Sequence, residues 1–260
     1  MRTMGPTRER SASALRSDSD SARLGAAPST PAPAAPSDGR RERGMRSRAA
    51  VLERSVQMAS REGLEGLTIG ALAGELGVHK SSVFALFGSK QELQLATIGA
   101  ARAILVEHVI APALVAPEGL ARLSAIGEAW CDYLLSDVFA GGCFLCAASA
   151  EMDGRPGAVR DAVAAVMLEW VALLQANLAA AVAAGELRGD VDASAIAFRL
   201  NALGMAANWQ RQLLHDSCGV AHARAAWRSE LDAHRSKPAG NVRRGARRGA
   251  APATREGRSR

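Results

Sequence analysis

A run of polar residues, His79-Lys80-Ser81-Ser82, opens a short segment of helical character that ends at Phe87. Imidazole, ammonium and hydroxyl groups are suited to hydrogen bonds with base edges and phosphates. A second short helix is predicted over 68–76, and Gly77 separates the two. Two short helices joined by a tight glycine turn are typical of a helix-turn-helix, whose second helix enters the DNA major groove. The sequence therefore predicts this motif over about residues 68–87.

The second group of residues that could do chemistry is the C-x-x-C pair Cys143 and Cys146. Such a pair can be a redox couple or half of a metal site. A structural zinc site would need a second ligand pair at regular spacing, and only Cys131, Cys218 and scattered histidines are available. On a helix, residues i and i+3 could form a disulfide only with distortion. Buried structural thiols and a thiol or metal sensor both remain open, and no metal site is assigned.

No pattern of catalytic residues accompanies these groups. The sequence has no phosphate-binding glycine loop, no H-E-x-x-H and no G-x-S-x-G, and its acidic residues are scattered over helical faces. We therefore expect no enzyme activity and no cofactor.

The elements that must position these residues are helical throughout. Val51, Ser55 and Met58 lie on one stripe of an amphipathic helix that Gly63 would end. The capping box Ser89-Lys-Gln-Glu begins a fourth helix that runs toward His108. Longer helices are predicted over 118–136, 156–184, 193–215 and 219–234, with a turn at 185–192. No segment has the period of a β-strand, so the predicted fold class is all-α.

Charge divides the 260 residues into three parts. Residues 1–44 carry 8 basic and 5 acidic residues, residues 45–234 carry 15 and 20, and residues 235–260 carry 9 and 1, for a formal net charge of +6. The excess positive charge therefore lies in two tails without apolar periodicity, which we expect to be disordered. The C-terminal tail is either a solvated terminus or a non-specific polyanion-binding arm.

Two further features concern the compartment of the protein. No run of 18 uncharged apolar residues occurs, because Glu169, Gln175 and Asn177 interrupt the best candidate. We therefore expect no membrane span and no membrane partner. Four cysteines are too few for a disulfide scaffold in a chain of this length, and the first residues form no apolar signal segment. A cytoplasmic location is expected.

The segment Gly77-Val-His-Lys-Ser-Ser-Val-Phe-Ala-Leu-Phe-Gly-Ser-Lys-Gln-Glu-Leu93 resembles the signature of the TetR family of bacterial transcriptional regulators. Upstream, Val51-Leu52 and Leu67-Thr68-Ile69 stand at the family's spacings. Further on, 141–145, 155–157 and 185–188 resemble one type of ligand-binding domain in that family. The resemblance implies a three-helix DNA-binding domain at 45–105 and a helical effector-binding and dimerisation domain at 106–234.

The resemblance also implies DNA contacts. Thr68 and Lys90 correspond to phosphate contacts, and Phe84 corresponds to an aromatic residue, often tyrosine, that packs on the DNA backbone. Because His79 replaces a more usual serine, we expect the recognition helix to be less well capped. The DNA-binding residues are predicted to be Thr68, His79, Lys80, Ser81, Ser82, Phe84 and Lys90.

The C-terminal domain is expected to bind an apolar small-molecule effector and to form a homodimer. Alanine and glycine in the two longest predicted helices suit a four-helix dimer seam, although they also suit an intramolecular core. Its large aromatic and polar residues are candidates for the effector pocket, and each aromatic alone is more typical of core. These candidates are His108, Trp130, Phe144, Trp170, Asn208 and Trp209.

Together these features predict a ligand-responsive dimeric repressor that binds a near-palindromic operator in double-stranded DNA. Two alternatives stay open. One is a thiol- or metal-responsive regulator that senses through Cys143 and Cys146. The other is a helical protein without a DNA function.

Overall fold

The computed structural model describes residues 38–136 and 138–236. Within these residues it is helical, with no strand longer than a single β-bridge, which confirms the all-α prediction. Its nine helices of eight residues or more are α1 (Asp38–Gly66), α2 (Ile69–Leu76), α3 (Lys80–Phe87), α4 (Lys90–Leu105), α5 (Leu120–Leu135), α6 (Phe144–Met152), α7 (Ala158–Ala183), α8 (Ala193–Leu214) and α9 (Cys218–Ala233).

Helix α1 begins inside the segment that was predicted to be a disordered tail ending at residue 44. Residues 38–44 consist of charged residues and two glycines, so no apolar periodicity marks them, whereas their Arg and Glu residues favour a helix. Gly63 interrupts α1 where its end was predicted, with a left-handed φ of 77°, and one more turn follows. The rest of the predicted tails, at 1–37 and 237–260, lies outside the described residues.

Local capping signals set both ends of α2 and the start of α4. Thr68 Oγ1 accepts a hydrogen bond from Ala71 N at 3.1 Å and so caps α2. Gly77 ends α2 in the left-handed region, with φ 66°. Ser89 Oγ accepts from Glu92 N at 3.1 Å and begins α4. The helix-turn-helix therefore lies within one residue of its predicted bounds.

The C-terminal helices pack around three tryptophans. The ring of Trp130 meets those of Trp170 and Trp227 edge to face, with centroids 4.8 and 6.2 Å apart. Such pairs stabilise a core beyond the area that they bury. Gly204 lets α8 approach Trp130, because a Cβ atom there would lie 2.1 Å from the ring.

Two helical features of this domain were not predicted. Helix α6 follows a Gly-Gly pair, and Cys143 occupies its N-cap in place of a typical Ser, Asp or Asn, so no sequence signal marks its start. The predicted fourth helix changes hydrogen-bonding pattern after Leu105. It continues as a π-helical turn, Val106–Ile110, and a last turn, Ala111–Ala113.

Two segments, Lys90–Ala113 and Ala158–Ala183, are long and apolar enough to span a membrane by length and composition alone, with mean hydropathies of 1.4 and 1.6. This test tolerates a few polar residues, whereas the sequence criterion asked for an uninterrupted apolar run, so the expectation of no membrane span stays a prediction. Both segments pack against other helices of the domain, and the core helices of soluble bundles have the same composition.

Candidate nucleic-acid interface and internal cavity

The polar residues that open α3 lie on the surface. His79, Lys80, Ser81 and Ser82 are exposed, as is Phe84, with 53% of its surface accessible. On the opposite side of α3, Val83 and Phe87 are buried, as their spacing predicts. The helix therefore presents a polar N-terminal half and one aromatic ring outward from an apolar base.

His79 caps α3 with its imidazole, and its cap bond is longer than the 3.1 Å bonds that Thr68 and Ser89 accept, which agrees with the expectation of a weaker cap. Its Nδ1 accepts a hydrogen bond from Ser81 N at 3.3 Å and lies 2.7 Å from Ser81 Oγ. An imidazole nitrogen thus satisfies one of the free amides of the first turn, as a serine hydroxyl would.

Lys90 is held by the last turn of α1. Its Nζ donates hydrogen bonds to Glu65 O at 2.8 Å and Glu65 Oε2 at 3.0 Å. The hydrogen bond and charge of Lys90 are the main reasons why the pKa of Glu65 is lowered. Arg155, just before α7, approaches the same carboxylate at 3.9 Å. Lys90, the predicted phosphate contact, is therefore already paired with the exposed carboxylate of Glu65 in the same chain.

An internal cavity lies between α4, α5, α6, α7 and α8. Its free volume is about 20 Å³, which is enough for one water molecule. A larger molecule can enter only if the lining side chains move. The Nε1–H of Trp130 is buried, and no residue in the described part of the chain accepts its hydrogen bond. The lining residues are Leu105, Trp130, Cys143, Leu145, Cys146, Met167, Trp170, Asn201 and Met205.

A surface groove lies next to this cavity, between α4, its π-helical turn and α7. The volume of the groove is about 500 Å³. Leu105 and Trp170 line both the groove and the cavity. Trp170 is fixed from the far side by the hydrogen bond from its Nε1 to Asn201 Oδ1, at 3.1 Å. These two shared side chains form the wall between the groove and the cavity.

The structure separates the predicted pocket residues. Trp130 and Trp170 line the cavity, whereas Phe144 is buried against Phe139, with ring centroids 6.0 Å apart. Asn208 is committed to the backbone, since its Oδ1 accepts from Cys143 N at 2.9 Å. The remaining two candidates, His108 and Trp209, are exposed and do not line the cavity.

Several residues that line the cavity were not predicted from the sequence, although their spacing along the helices is regular. Met167 precedes Trp170 by three residues on α7, and Asn201 precedes Met205 by four on α8. This spacing places each pair on one helix face. It does not reveal which face of α8 meets the cavity.

Cys143 and Cys146 meet at the start of α6. Cys143 lies outside the helix with extended backbone, φ −61° and ψ 111°, so the expected distortion between two helical residues does not apply. The thiol of Cys146 lowers the pKa of Cys143, assisted by first-turn amides and the Tyr133 hydroxyl and opposed by burial. The same contact and burial raise the pKa of Cys146. The pair is thus polarised, with thiolate character on Cys143.

Tyr133 was also missed from the sequence. Its hydroxyl contacts Cys143, and burial is the main cause that raises the pKa of this phenol. The hydroxyl therefore stays protonated and can donate a hydrogen bond to sulfur.

The loop that leads to Cys143 is fastened to α1. Gln57 Nε2 donates to Val138 O at 2.6 Å, and Ala140 N donates to Gln57 Oε1 at 3.0 Å. Gly141 N donates to Ser60 Oγ at 3.1 Å. A Cβ atom on Gly141 would lie 1.8 Å from Ser60 O, so only glycine permits this approach.

A second fastening lies at the kink of α1. The carboxylate of Glu151, on α6, accepts hydrogen bonds from Leu64 N and Glu65 N, both at 2.8 Å. A carboxylate at a helical N-terminus is favoured by the local dipole. Helix α6 thus contacts the cavity through Cys146 and α1 through Glu151.

An exposed apolar face runs along α7 and α8. Leu168 on α7 is 70% exposed, and Phe198 on α8 is 72% exposed. Trp209 and Leu213 continue this face on α8, because their spacing places them within about 60° of Phe198 around the helix. So many large apolar residues on one face are typical of a protein–protein interface.

A metal centre has no support from the described ranges. In residues 38–136 and 138–236, no three His, Cys, Asp or Glu side chains lie together as potential metal ligands. The four cysteines are free thiols, and of these only Cys218 is exposed.

The comparisons with known proteins agree with this architecture. Residues 51–97 match the family model described as bacterial regulatory proteins, tetR family, and residues 119–227 match the tetracyclin repressor-like C-terminal domain. No curated protein sequence matches significantly.

Solved structures show the same fold at low sequence identity. A TetR transcriptional regulator from Chloroflexus aurantiacus is similar with a TM-score of 0.70 and 22% identity, over 75% of this chain and 98% of that chain. A TetR-family regulator from Cytophaga hutchinsonii gives 0.68 and 19%, over 75% and 98%. AibR, in complex with isovaleryl coenzyme A and operator DNA, gives 0.52 and 19%, over 63% and 84%.

The two family models together match more than half of the chain, one on the helix-turn-helix and one on the domain that holds the cavity. Both parts have the fold of the matching structures. The chain belongs to the TetR family of bacterial transcriptional regulators.

Proposed function

We propose that this regulator is a cytoplasmic, ligand-responsive repressor that binds a near-palindromic operator as a homodimer and has no enzyme activity. The observation that carries the DNA-binding part is the outward polar start of α3 beside an exposed Phe84. In a helix-turn-helix this part of the second helix reaches base edges, while flanking residues contact phosphates.

The proposed DNA contacts differ in role. Lys80, Ser81 and Ser82 contact bases or nearby phosphates from the first turn of α3. Phe84 packs on the DNA backbone and donates no hydrogen bond, because it lacks a hydroxyl. Thr68 keeps its capping role and brings α2 close to a phosphate. Lys90 binds a phosphate after it exchanges the Glu65 carboxylate for it.

His79 is proposed to act through the conformation of α3 as well as through DNA. Its Nδ1 is occupied by Ser81, which leaves the other ring nitrogen for a base or phosphate. This division keeps the helix N-terminus ordered while the imidazole faces outward.

The homodimer is proposed to form through the apolar face of α7 and α8. Alanines on α7 allow the two protomers to approach closely. Phe198 and Trp209, which are exposed in one protomer, become buried between the two. Pairing two such faces gives a four-helix seam. The two copies of α3 then reach successive major grooves, about 34–36 Å apart.

The effector is proposed to enter from the surface groove and displace the wall formed by Leu105 and Trp170. AibR, which shares the fold, was solved with both an acyl coenzyme A and operator DNA, which supports a small-molecule effector for this architecture. The cavity of this chain favours a smaller, mostly apolar molecule.

The response is proposed to travel through α1. Occupancy moves the loop 138–143 and α6, which hold α1 through Gln57, Ser60 and Glu151. Movement of α1 shifts α2 and α3, and the operator is released. The effector acts only by its difference in affinity for the DNA-bound and released states.

A mobility-shift assay on the DNA upstream of the protein's own gene tests the proposal. We expect specific binding that the combined Phe84→Ala and Lys90→Ala substitutions abolish. Arg188→Ala, which removes an exposed basic residue from the other domain, is the matched control and leaves binding intact. Specific binding that survives the double substitution contradicts the proposed docking, and no specific binding on any upstream fragment favours a helical protein without a DNA function.

A further inference from the structure

Glu65, in the last turn of α1, lies between two cations that come from different parts of the chain. Lys90, at the start of α4, places its Nζ 3.0 Å from Glu65 Oε2. Arg155, in the linker between α6 and α7, places its guanidinium 3.9 Å from Glu65 Oε1. The two cations therefore approach different oxygens of one carboxylate. The proposed function uses Lys90 and leaves Arg155 without a role.

The backbone around Glu65 is fixed, whereas the side chains are free to exchange partners. Glu151 Oε1 accepts a hydrogen bond from Glu65 N at 2.8 Å. The buried Gln94 donates from its Nε2 to Leu64 O at 2.6 Å. By contrast, the side chains of Glu65 and Arg155 are about half exposed. A change of partner at this carboxylate therefore needs only side-chain rotation.

We propose that Arg155 is a positioning residue for operator binding, which takes over the Glu65 carboxylate when Lys90 leaves it for a DNA phosphate. This inference rests on the proposed docking of Lys90. Without Arg155, the released carboxylate would stand unpaired close to the phosphate that Lys90 binds, and the two negative charges repel each other. With Arg155, part of the ion-pair energy that Lys90 gives up is recovered.

Both cations already act on the carboxylate. The hydrogen bond and charge of Lys90 are the main causes that lower the pKa of Glu65, and the charge of Arg155 lowers it further. The distance of 3.9 Å is long for Arg155, since a close contact between a guanidinium and a carboxylate measures about 2.7–2.9 Å. Once Lys90 has left Oε2, the planar guanidinium can bind both oxygens of Glu65. The contact is therefore able to strengthen on docking.

The linker that carries Arg155 has room to follow the carboxylate. It spans residues 153–157 and joins two helices that line the internal cavity. A Cβ atom on Gly154 or Gly157 would meet nothing within 4 Å, so no neighbouring group confines the linker at these two positions. Arg155 thus gives the domain of the cavity a direct contact with the residue that competes with DNA for Lys90.

The first experiment needs no DNA. Lys90→Ala reproduces the departure of Lys90, and the pKa of Glu65 is measured by NMR titration of the carboxyl carbon in full-length protein labelled with ¹³C-glutamate. The signal is assigned by its absence in Glu65→Gln. We expect Arg155→Ala to raise this pKa more in the Lys90→Ala background than in the unmodified protein. An equal or smaller rise overturns the inference, because Arg155 then does not take over the carboxylate.

The second experiment measures operator binding by fluorescence anisotropy at fixed salt. Arg155→Ala is expected to raise the Kd by about 2- to 10-fold, the effect of one exposed ion pair in each of two protomers. Arg155→Lys keeps the charge and restores most of the affinity. Arg160→Ala is the matched control, because it removes an exposed arginine of the same region that pairs with Asp161 instead, and its effect is expected to be smaller.

The same assay in the Glu65→Gln background separates positioning from direct contact. Arg155→Ala is expected to leave the Kd unchanged there, because no carboxylate remains to be taken over. An undiminished loss of affinity in this background means that Arg155 binds phosphate itself or supports the fold, and it overturns the inference while the proposed repressor stands. Failure of the unmodified protein to bind any operator refutes the proposed function, and the NMR titration still decides whether Arg155 replaces Lys90 at Glu65.

Discussion

Replacing Glu65 with glutamine is expected to tighten operator binding. Lys90 must leave the Glu65 carboxylate, 3.0 Å away, before its ammonium can bind a phosphate. An exposed ion pair of this kind contributes about 0.2–1 kcal/mol. A dimer that docks on DNA therefore loses about 0.4–2 kcal/mol from its two Glu65–Lys90 ion pairs. Removing these pairs by Glu65→Gln is expected to lower the Kd for the operator by about 2- to 30-fold. The hydrogen bond to Glu65 O remains and keeps Lys90 in place.

The assay is fluorescence anisotropy on a labelled operator at fixed salt, because phosphate contacts make the Kd depend on salt concentration. Glu62→Gln controls for the loss of one negative charge from the same helix, and its effect is expected to be smaller. A double-mutant cycle with Lys90→Ala separates the effect of breaking the Glu65–Lys90 ion pair from the general effect of removing a negative charge. Weaker binding by Glu65→Gln, or the same gain in the Lys90→Ala background, would refute the reasoning.

Three further changes test other parts of the structure. Phe84→Tyr adds a phenol at an exposed position and is expected to strengthen operator binding, whereas weaker binding in anisotropy would contradict the proposed backbone contact. Gly141→Ala places a Cβ 1.8 Å from Ser60 O and is expected to lower the free energy of unfolding in urea by about 1–3 kcal/mol, while Gly154→Ala, in open space, has little effect. Phe198→Asp puts a charge on the apolar face, and sedimentation is expected to show monomers; an unchanged dimer would exclude this face.

The sequence predicts the DNA-binding half of the fold well because its signals are local. Thr68, Gly77 and Ser89 each cap a helix through contacts within a few residues, so both ends of α2 and the start of α4 follow from neighbouring residues. The cap at His79 is local in the same way, and its longer bond agrees with the weaker cap expected there. An imidazole nitrogen accepts from a first-turn amide as a hydroxyl does, although histidine is not a typical capping residue.

The cavity could not be predicted in the same way, because it depends on which helix faces meet. Trp130 and Trp209 are both tryptophans on apolar stripes, yet one lines the cavity and the other lies on the exposed face of α8. Asn208 was predicted as a ligand anchor, but its partner, Cys143 N, is 65 residues away. Only the tertiary fold brings Cys143, the residue before α6, beside Asn208 of α8.

Helix α1 connects the two halves of this regulator. Its middle holds the loop before Cys143 through Gln57 and Ser60, and its kink receives the Glu151 carboxylate. Its last turn holds Lys90 through Glu65. In the proposed response, a shift of the loop before Cys143 reaches α1 at these points, and Glu65, whose N–H is bound by Glu151, carries the carboxylate that would compete with DNA for Lys90. In the proposed function, effector and operator therefore act on the same helix, which is the physical condition for each to change the affinity for the other.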